Sequence, residues 1–246
     1  MAINILDRYG IKEVCDFTFY RIEKGGEVGA PVLYLDTLKV STSEQTADNT
    51  SARGGKGNPE LITWDYGKEI TVTLEDALFS AKSMAIMFGS VDTDGNAVLN
   101  SSASILKTAR KADVTDGKVT IHGESITIPT EGTSYYNADG TTGSSTSYDY
   151  VTFPLSVKDV SVINISAETF PGTYYITGDT YARRETDGLD EFFQFIIPKA
   201  KVQSEVTLTM EAEGDPSTFS MNLKVLRPTN DSMMKLVKYN LDVAQG

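Results

Sequence analysis

Residues 174–197 read YYITGDTYARRETDGLDEFFQFII. The first run, Tyr174–Ala182, and the last, Glu191–Ile197, are rich in the aromatic and β-branched residues that favour strands. Between them, Arg183–Asp190 is polar and contains Asp187-Gly188, a dipeptide typical of hairpin turns. The stretch therefore predicts two antiparallel strands joined by a turn.

Strand patterns of this kind recur along the chain. Two more alternating runs follow Pro198, separated by the turn residues Gly214-Asp215-Pro216, so the C-terminal third predicts an antiparallel meander. The other predicted strands are Phe17–Ile22, Val32–Val40, Glu69–Leu74, Lys118–Ile128, Val151–Val157, Glu205–Ala212 and Thr218–Leu226. We therefore predict a mainly β (α+β) fold with antiparallel pairing.

One amphipathic helix is predicted over Leu74–Phe88. Thr73 is a suitable N-cap, and Glu75 and Asp76 complement the helix dipole. Gly89 supplies the stop. Apolar residues recur at spacings of three and four, at Leu78, Ala81, Ala85 and Phe88. A helix of this kind is expected to pack against a sheet.

Two segments interrupt the strand pattern. Ser41–Asn58 is polar with a glycine-rich tip, which predicts a long loop. Residues 90–150 are crowded with Ser, Thr, Gly and Asn, which predicts an inserted subdomain or extended hairpin within a core formed by 1–89 and 151–228. Residues 229–246 are predicted to form a C-terminal arm or a last strand.

Composition limits the classes of function. With 246 residues, 40% of them hydrophobic, the chain is long enough to bury one large core or two modest ones. A net charge of −12 argues against nucleic-acid binding, which needs clustered Lys and Arg. Acidity suits either solubility or a channel through which DNA passes without being held.

The single cysteine, Cys15, excludes an intrachain disulfide. The sequence shows no apolar run long enough for a membrane helix and no signal-peptide core at its start, so we expect synthesis and folding in a cytosol.

The sequence shows no catalytic constellation, and we predict no enzymatic activity, no cofactor and no metal site. His122, the only histidine, lies in a strand-like context without a nucleophile motif. Residues 92–96, Asp-Thr-Asp-Gly-Asn, begin like a calcium loop, but Ala97 and Ala103 stand where that loop needs Gly and Glu. They predict an Asp-Gly turn between short strands. Glu211 and Glu213 would lie on the same face of a strand. Three interpretations fit them: a solvated strand end, an acidic channel wall, or the paired carboxylates of a glycosidase.

The tip of the predicted loop is basic. Arg53-Gly54-Gly55-Lys56-Gly57 lacks the spacing of a phosphate-binding P-loop, and no helix starts directly after it. On an acidic protein, a basic tip suits docking onto an acidic patch of a neighbouring copy.

Two stretches resemble the major tail-tube proteins of long-tailed bacteriophages. The first is Ala52–Asn58 leading through Leu61–Glu69, and the second is Phe192–Lys201 followed by Glu211–Leu226. The resemblance implies an antiparallel β-sandwich or barrel of the tail-tube type, with one packed helix, whose subunits close into hexameric rings. Stacked rings would form a channel for DNA delivery.

The resemblance also assigns roles to segments of the chain. It implies that the loop 41–66 bridges stacked rings and that Met1–Val14 and Asp231–Gly246 reach adjacent subunits. The candidate inter-ring residues are Arg53, Gly54, Gly55, Lys56 and Gly57, and the candidate lumen acids are Glu211 and Glu213. The implied partners are further copies of the chain and other tail proteins (tape measure, baseplate or terminator, sheath), in a virion assembled in the host cytoplasm.

Two other functions fit the same residues. One is a different virion binding module, for capsid decoration or carbohydrate binding, and the other is a glycosidase-like enzyme. Tubes or six-fold rings in negative-stain images would support the tail tube, whereas a persistent monomer that retains glycans would support the binding module.

Overall fold

The computed structural model describes residues 7–101, 105–206, 218–229 and 232–240. In these ranges it contains one α-helix, α1 (Ala81–Met87), a 3₁₀ turn (Lys111–Asp113) and fifteen strands. The strands are β1 (Tyr9–Ile11), β2 (Asp16–Ile22), β3 (Val28–Leu35), β4 (Leu38–Arg53), β5 (Glu60–Asp76), β6 (Ile105–Arg110), β7 (Val114–Thr115), β8 (Lys118–Ile121), β9 (Glu124–Thr127), β10 (Ser134–Tyr136), β11 (Tyr150–Leu155), β12 (Thr173–Arg184), β13 (Asp190–Val202), β14 (Phe219–Val225) and β15 (Lys235–Tyr239).

Nine strands form the main antiparallel sheet. Their order is β3-β2-β12-β13-β14-β5-β4, with β1 beside the end of β12 and β15 beside β13. The mainly β prediction is confirmed. Within the described ranges the sheet does not close into a barrel, because β3 and β4 lie at its two ends.

One face of this sheet carries the core. Alternating side chains of seven strands and of α1 are buried there in one cluster, which includes Phe19, Leu74, Ile176, Ile197 and Leu223. Tyr174 is fully buried in the same cluster, where its hydroxyl donates a 2.9 Å hydrogen bond to the carbonyl of Gly95. Satisfying this hydroxyl removes the penalty of burying it.

The predicted C-terminal meander is present in its described part. β12 and β13 pair as a hairpin around a turn at 185–189, in which Gly188 has φ +70°. β13 continues through Pro198, where the pairing with β12 shifts by one residue between Tyr174 and Ile176. Proline is tolerated at such an irregularity because its missing N–H is not needed by the ladder. β14 matches the strand predicted at 218–226, and β15 supplies the last strand.

The predicted helix Leu74–Phe88 is wrong at its start. Leu74 and Asp76 still belong to β5 and pair with Met221 and Phe219 of β14, so cross-strand pairing prevails over the amphipathic pattern. The helix begins after Ser80, whose hydroxyl accepts from the Ser83 amide in a capping box. It ends before Gly89 as predicted, while Leu78 is 64% exposed and not part of a packed face.

The predicted loop Ser41–Asn58 is also wrong. Most of it is β4, a 16-residue strand that pairs with β5 to form a long hairpin whose tip lies at 54–59. The segment lacks apolar periodicity because both of its faces are exposed beyond the core, so burial imposes no alternation there. The predicted strand Val32–Val40 is likewise divided, between β3 and β4.

Chain contacts define two compact units, Met1–Leu99 with Ile163–Gly246, and Asn100–Val162. The second unit therefore begins and ends later than the predicted insertion 90–150. Residues 90–98 form a hairpin that belongs to the first unit, where the Gly95 carbonyl accepts from Tyr174, and β11 pairs with β6 inside the second unit.

The second unit contains two three-stranded sheets, β10-β11-β6 and β7-β8-β9. They share a small core of Ala109, Val119, Val151 and Phe153. The strand predicted at Lys118–Ile128 is a hairpin, because His122 (φ +49°) and Gly123 (φ +85°) form a two-residue turn between β8 and β9.

Candidate assembly site

The β4–β5 hairpin projects from the core as an arm, residues 44–69. Burial on β5 stops at Ile70, and all ten residues from Glu60 to Glu69 are exposed. One face of the arm carries Ile62, Trp64 and Tyr66 at alternate positions, and these three side chains, the apolar stripe, are 54%, 53% and 57% exposed. Contiguous exposed apolar side chains of this kind mark interaction surfaces.

A β-bulge decides which way the apolar stripe faces. Thr46 pairs with Glu69 but Asp48 pairs with Tyr66, so Ala47 opposes two residues, Gly67 and Lys68. Gly67 has φ +62°, the left-handed conformation that such a bulge requires. The extra residue reverses the alternation of β5, so the stripe lies on the opposite face from the buried Ile70 and Val72.

The tip of the arm is polar and ordered by hydrogen bonds. Glu60 accepts from the hydroxyls of Ser51 and Thr63, each at 2.5 Å, and pairs with the Arg53 guanidinium at 2.9 Å. The hydroxyl of Ser51 and then that of Thr63 lower the pKa of Glu60. Between these residues the chain turns at Gly55–Asn58, where the Asn58 amide bonds the Gly55 carbonyl.

The predicted contact residues Arg53, Gly54, Gly55, Lys56 and Gly57 therefore occupy this tip together. Arg53 forms an ion pair with Glu60 of the same chain, so it is less available to bind an acidic patch on a neighbouring copy. Within the described residues, Lys56 forms no ion pair.

The main sheet has two long open edges. β4 pairs with β5 on one side only, so its other side leaves backbone groups of a 16-residue strand unpaired within the described chain. β3 forms the opposite edge. An unpaired edge of this length is a template for strand addition from another chain.

Acidic side chains line the non-core face of the sheet. Asp16 on β2 and Asp179 on β12 are directly opposite each other, and Asp36 follows β3, the strand that pairs with the other side of β2. We call these three residues the acidic row. Tyr34 donates to Asp16 at 3.3 Å and Gln194 donates to Asp179 at 2.9 Å. Desolvation first, and then the charges of the acidic row, raise the pKa of Tyr34.

Like charges directly opposite in a sheet are destabilising. The pattern of alternating polar residues on β2 and β12 carried no signal that their acids would meet, since strand order cannot be read from one sequence.

The model of the YomU/Tube protein family matches residues 9–238, nearly the whole chain. The chain belongs to the YomU/Tube family. This is a phage-derived family of structural tube proteins, so the resemblance to tail-tube proteins is confirmed at that level, and the chain is a virion component. A comparison with curated proteins gives no match.

In this YomU/Tube protein, an ionic cluster around the buried Glu191 joins the first and the last described strands to the β12–β13 hairpin. Glu191 is 4% exposed and contacts Arg184 of β12, while Lys238 of β15 lies 2.5 Å from its other oxygen. Lys238 also donates to the Tyr9 hydroxyl of β1 at 2.6 Å. Contact with Lys238, above all, lowers the pKa of Glu191 to about 2. We call these four residues the terminal cluster.

The other residues of the YomU/Tube chain that the sequence suggested as functional either have simple structural roles or lie outside the residues that the structure describes. Glu211 and Glu213 lie outside the described residues. Asp92 closes the predicted Asp-Gly turn, accepting from the amides of Asp94 and Asn96, both at 2.9 Å, beside the bridge between Val91 and Ala97. The ranges described contain no group of three acidic, His or Cys side chains arranged to hold a metal ion. They also contain no helix with the length and apolarity needed to span a bilayer.

Proposed function

We propose that this YomU/Tube protein assembles into stacked, hexameric rings that form the phage tail tube, a channel for DNA delivery to the host. The observation that carries the proposal is the arm: a two-stranded hairpin, exposed on both faces, with an apolar stripe that nothing in the described chain covers. An isolated two-stranded ribbon is marginally stable in water, so the arm gains most by packing on another copy.

Ring closure is supported by the open edges β3 and β4. A ring pairs or covers each edge with a neighbour, which removes the template for uncontrolled strand addition. The arm, with Arg53, the three glycines and Lys56 at its tip, then extends to the next ring. In this arrangement the terminal strands β1 and β15 lie at the subunit's border and are anchored by the terminal cluster.

For the channel lining we propose the acidic row in addition to Glu211 and Glu213. The like charges of Asp16, Asp36 and Asp179 repel one another, and they lie on a face that is not part of the core. A wall of carboxylates repels phosphates, so DNA slides without being held. The tube contacts tape-measure, baseplate or terminator proteins at its ends, and assembly takes place in the host cytoplasm before release of the virion.

Negative-stain microscopy of the purified chain tests the assembly. We expect tubes or six-fold rings from the wild type. A matched variant deletes residues 46–69 and joins Gln45 to Ile70 through Asn-Gly, a turn that suits a two-residue hairpin.

Because residues 46–69 contribute nothing to the buried core, the shortened protein should unfold at the temperature of the wild type but form no tubes. Wild-type protein that stays monomeric at all concentrations, or a shortened variant that still forms tubes, would exclude the proposed role of the arm.

A further inference from the structure

A cavity of about 220 Å³ lies at the base of the arm. Its walls are mostly apolar, with Cys15, Phe17, Val72 and Ile197 among the lining residues, and its rim carries the hydroxyls of Ser41 and Ser43. Ile11 and Ser43 are exposed, so the cavity opens to solvent at this rim. Apolar space without packing partners forfeits dispersion contacts, and an apolar occupant would restore them.

The arm of the same chain cannot fill this cavity. Trp64 pairs with Thr50, seven residues along β4 from Ser43, which places it about 23 Å from the rim at 3.3 Å per residue. The bulge at Gly67 also turns the apolar stripe to the face opposite Val72, which lines the cavity. An occupant from the stripe must therefore come from a different copy.

We propose that Trp64 and Ile62 on the arm of one copy fill this cavity in the next copy. The inference rests on the proposed self-assembly and names the surface that receives the arm. An apolar cavity of about 150 Å³ is already large enough for benzene, so this one accepts a large aromatic side chain. The hydroxyls of Ser41 and Ser43 at the rim can accept the indole N–H, which needs a partner when it is buried.

The contact is head to tail, because stripe and cavity are different surfaces of the chain. In the proposed rings and stacks, each copy gives its arm to one neighbour and receives an arm from another, so association continues from copy to copy. Trp64 exposes 53% of a side chain that measures about 250 Å², and Ile62 exposes 54% of a smaller one, so together they bury far less than the roughly 800 Å² per partner of a stable complex. A single contact is therefore weak, and rows of contacts are strong.

Cross-linking tests the pairing of the two surfaces. In a Cys15→Ser background, Ser43→Cys marks the rim and Thr50→Cys marks the stripe face of the arm while Trp64 stays in place. After assembly, a short bis-maleimide should give a ladder of covalent dimers, trimers and larger products. The control replaces Thr50→Cys by Asn49→Cys, the adjacent residue on the opposite face, and should give little product.

The outcomes separate this inference from the proposed function. Tubes or rings without a ladder, or an equal ladder from the Asn49 control, overturn the inference and leave the tube intact. Absence of any assembly overturns both. A cross-linked monomer from Ser43→Cys with Ile5→Cys assigns the cavity to the N-terminal segment of the same chain and also overturns it.

Fluorescence gives a second readout, since Trp64 is the only tryptophan. Its emission should shift to shorter wavelength on assembly as the indole leaves water. Ser43→Phe, which places a ring at the rim, should abolish the shift. An unchanged shift in Ser43→Phe contradicts the docking of Trp64 in this cavity.

Discussion

Replacing Trp64 with Ala should weaken assembly without weakening the fold. A tryptophan side chain measures about 250 Å², and 53% of Trp64 is exposed, so about 130 Å² can be buried by a neighbour. At about 25 cal/mol per Å², that burial is worth about 3 kcal/mol per contact. Because each 1.4 kcal/mol is a factor of ten, we expect the critical concentration for tube formation to rise about 100-fold.

The assay is a pelleting titration, in which tubes are sedimented over a range of total protein concentrations. Asn49→Ala, on the opposite face of the arm, is the control and should leave the critical concentration near that of the wild type. Thermal unfolding of Trp64→Ala should also be unchanged, since the side chain lies outside the core. A shift below about threefold, with Asn49→Ala equal to Trp64→Ala, would refute the assignment of the stripe to an interface.

Three further variants probe other parts of the chain. Glu191→Gln should lower the unfolding temperature at pH 7. Because the pKa of Glu191 falls from 4.5 to about 2 on folding, the extra stability of the wild type over the variant is complete above pH 4.5 and should vanish near pH 2. Extra stability that persists at pH 2 would contradict its ionic origin. Asp179→Asn relieves the repulsion with Asp16, so it should raise the free energy of unfolding by about 0.5 kcal/mol at low salt and by less at high salt, as measured by urea unfolding. An unchanged free energy of unfolding at low salt would argue against repulsion. Inserting one residue after Ala47 gives Gly67 and Lys68 one partner each, which removes the bulge and turns the stripe over. The folded variant should then form no tubes, whereas wild-type tubes would show that the stripe's direction is unimportant.

The sequence predicted the elements whose burial alternates. β14 buries every second residue, β2 does so in its first half, and β12 and β13 alternate over parts of their length, so their patterns were readable for that reason. The helix stop at Gly89 was equally visible, because a left-handed residue must follow the last turn.

The arm was missed because hydrophobic alternation reports burial and not strand pairing. β4 pairs with β5 along a ladder that continues beyond the core, yet the exposed residues of β4 follow no apolar period, so residues 41–58 resembled a loop. The helix start failed for a related reason: Leu74–Asp76 fits a helical stripe, and only the distant partner β14 decides for a strand.

The kinds of residue in the candidate site could be predicted from the sequence, but their positions relative to one another could not. The glycine-rich tip at 53–57 could be located from composition, whereas the Arg53–Glu60 pair depends on the hairpin register. The acidic row depends on which strands are neighbours, and β2 lies beside β12 although more than 150 residues separate them in the chain. Contacts at that separation leave no local signal.

The arm, a two-stranded ribbon with no second layer packed on it, also affects the rate of assembly. A ribbon without a packed second layer frays readily in the free subunit, and it becomes rigid only when a neighbour covers it. The first few subunits to meet must each order an arm before enough contacts exist to hold them, while a subunit that joins a finished end finds its partner surface already formed. In the proposed tube, growth from an existing end is therefore faster than spontaneous initiation, so tubes would lengthen where another tail component starts them while the remaining subunits stay in solution.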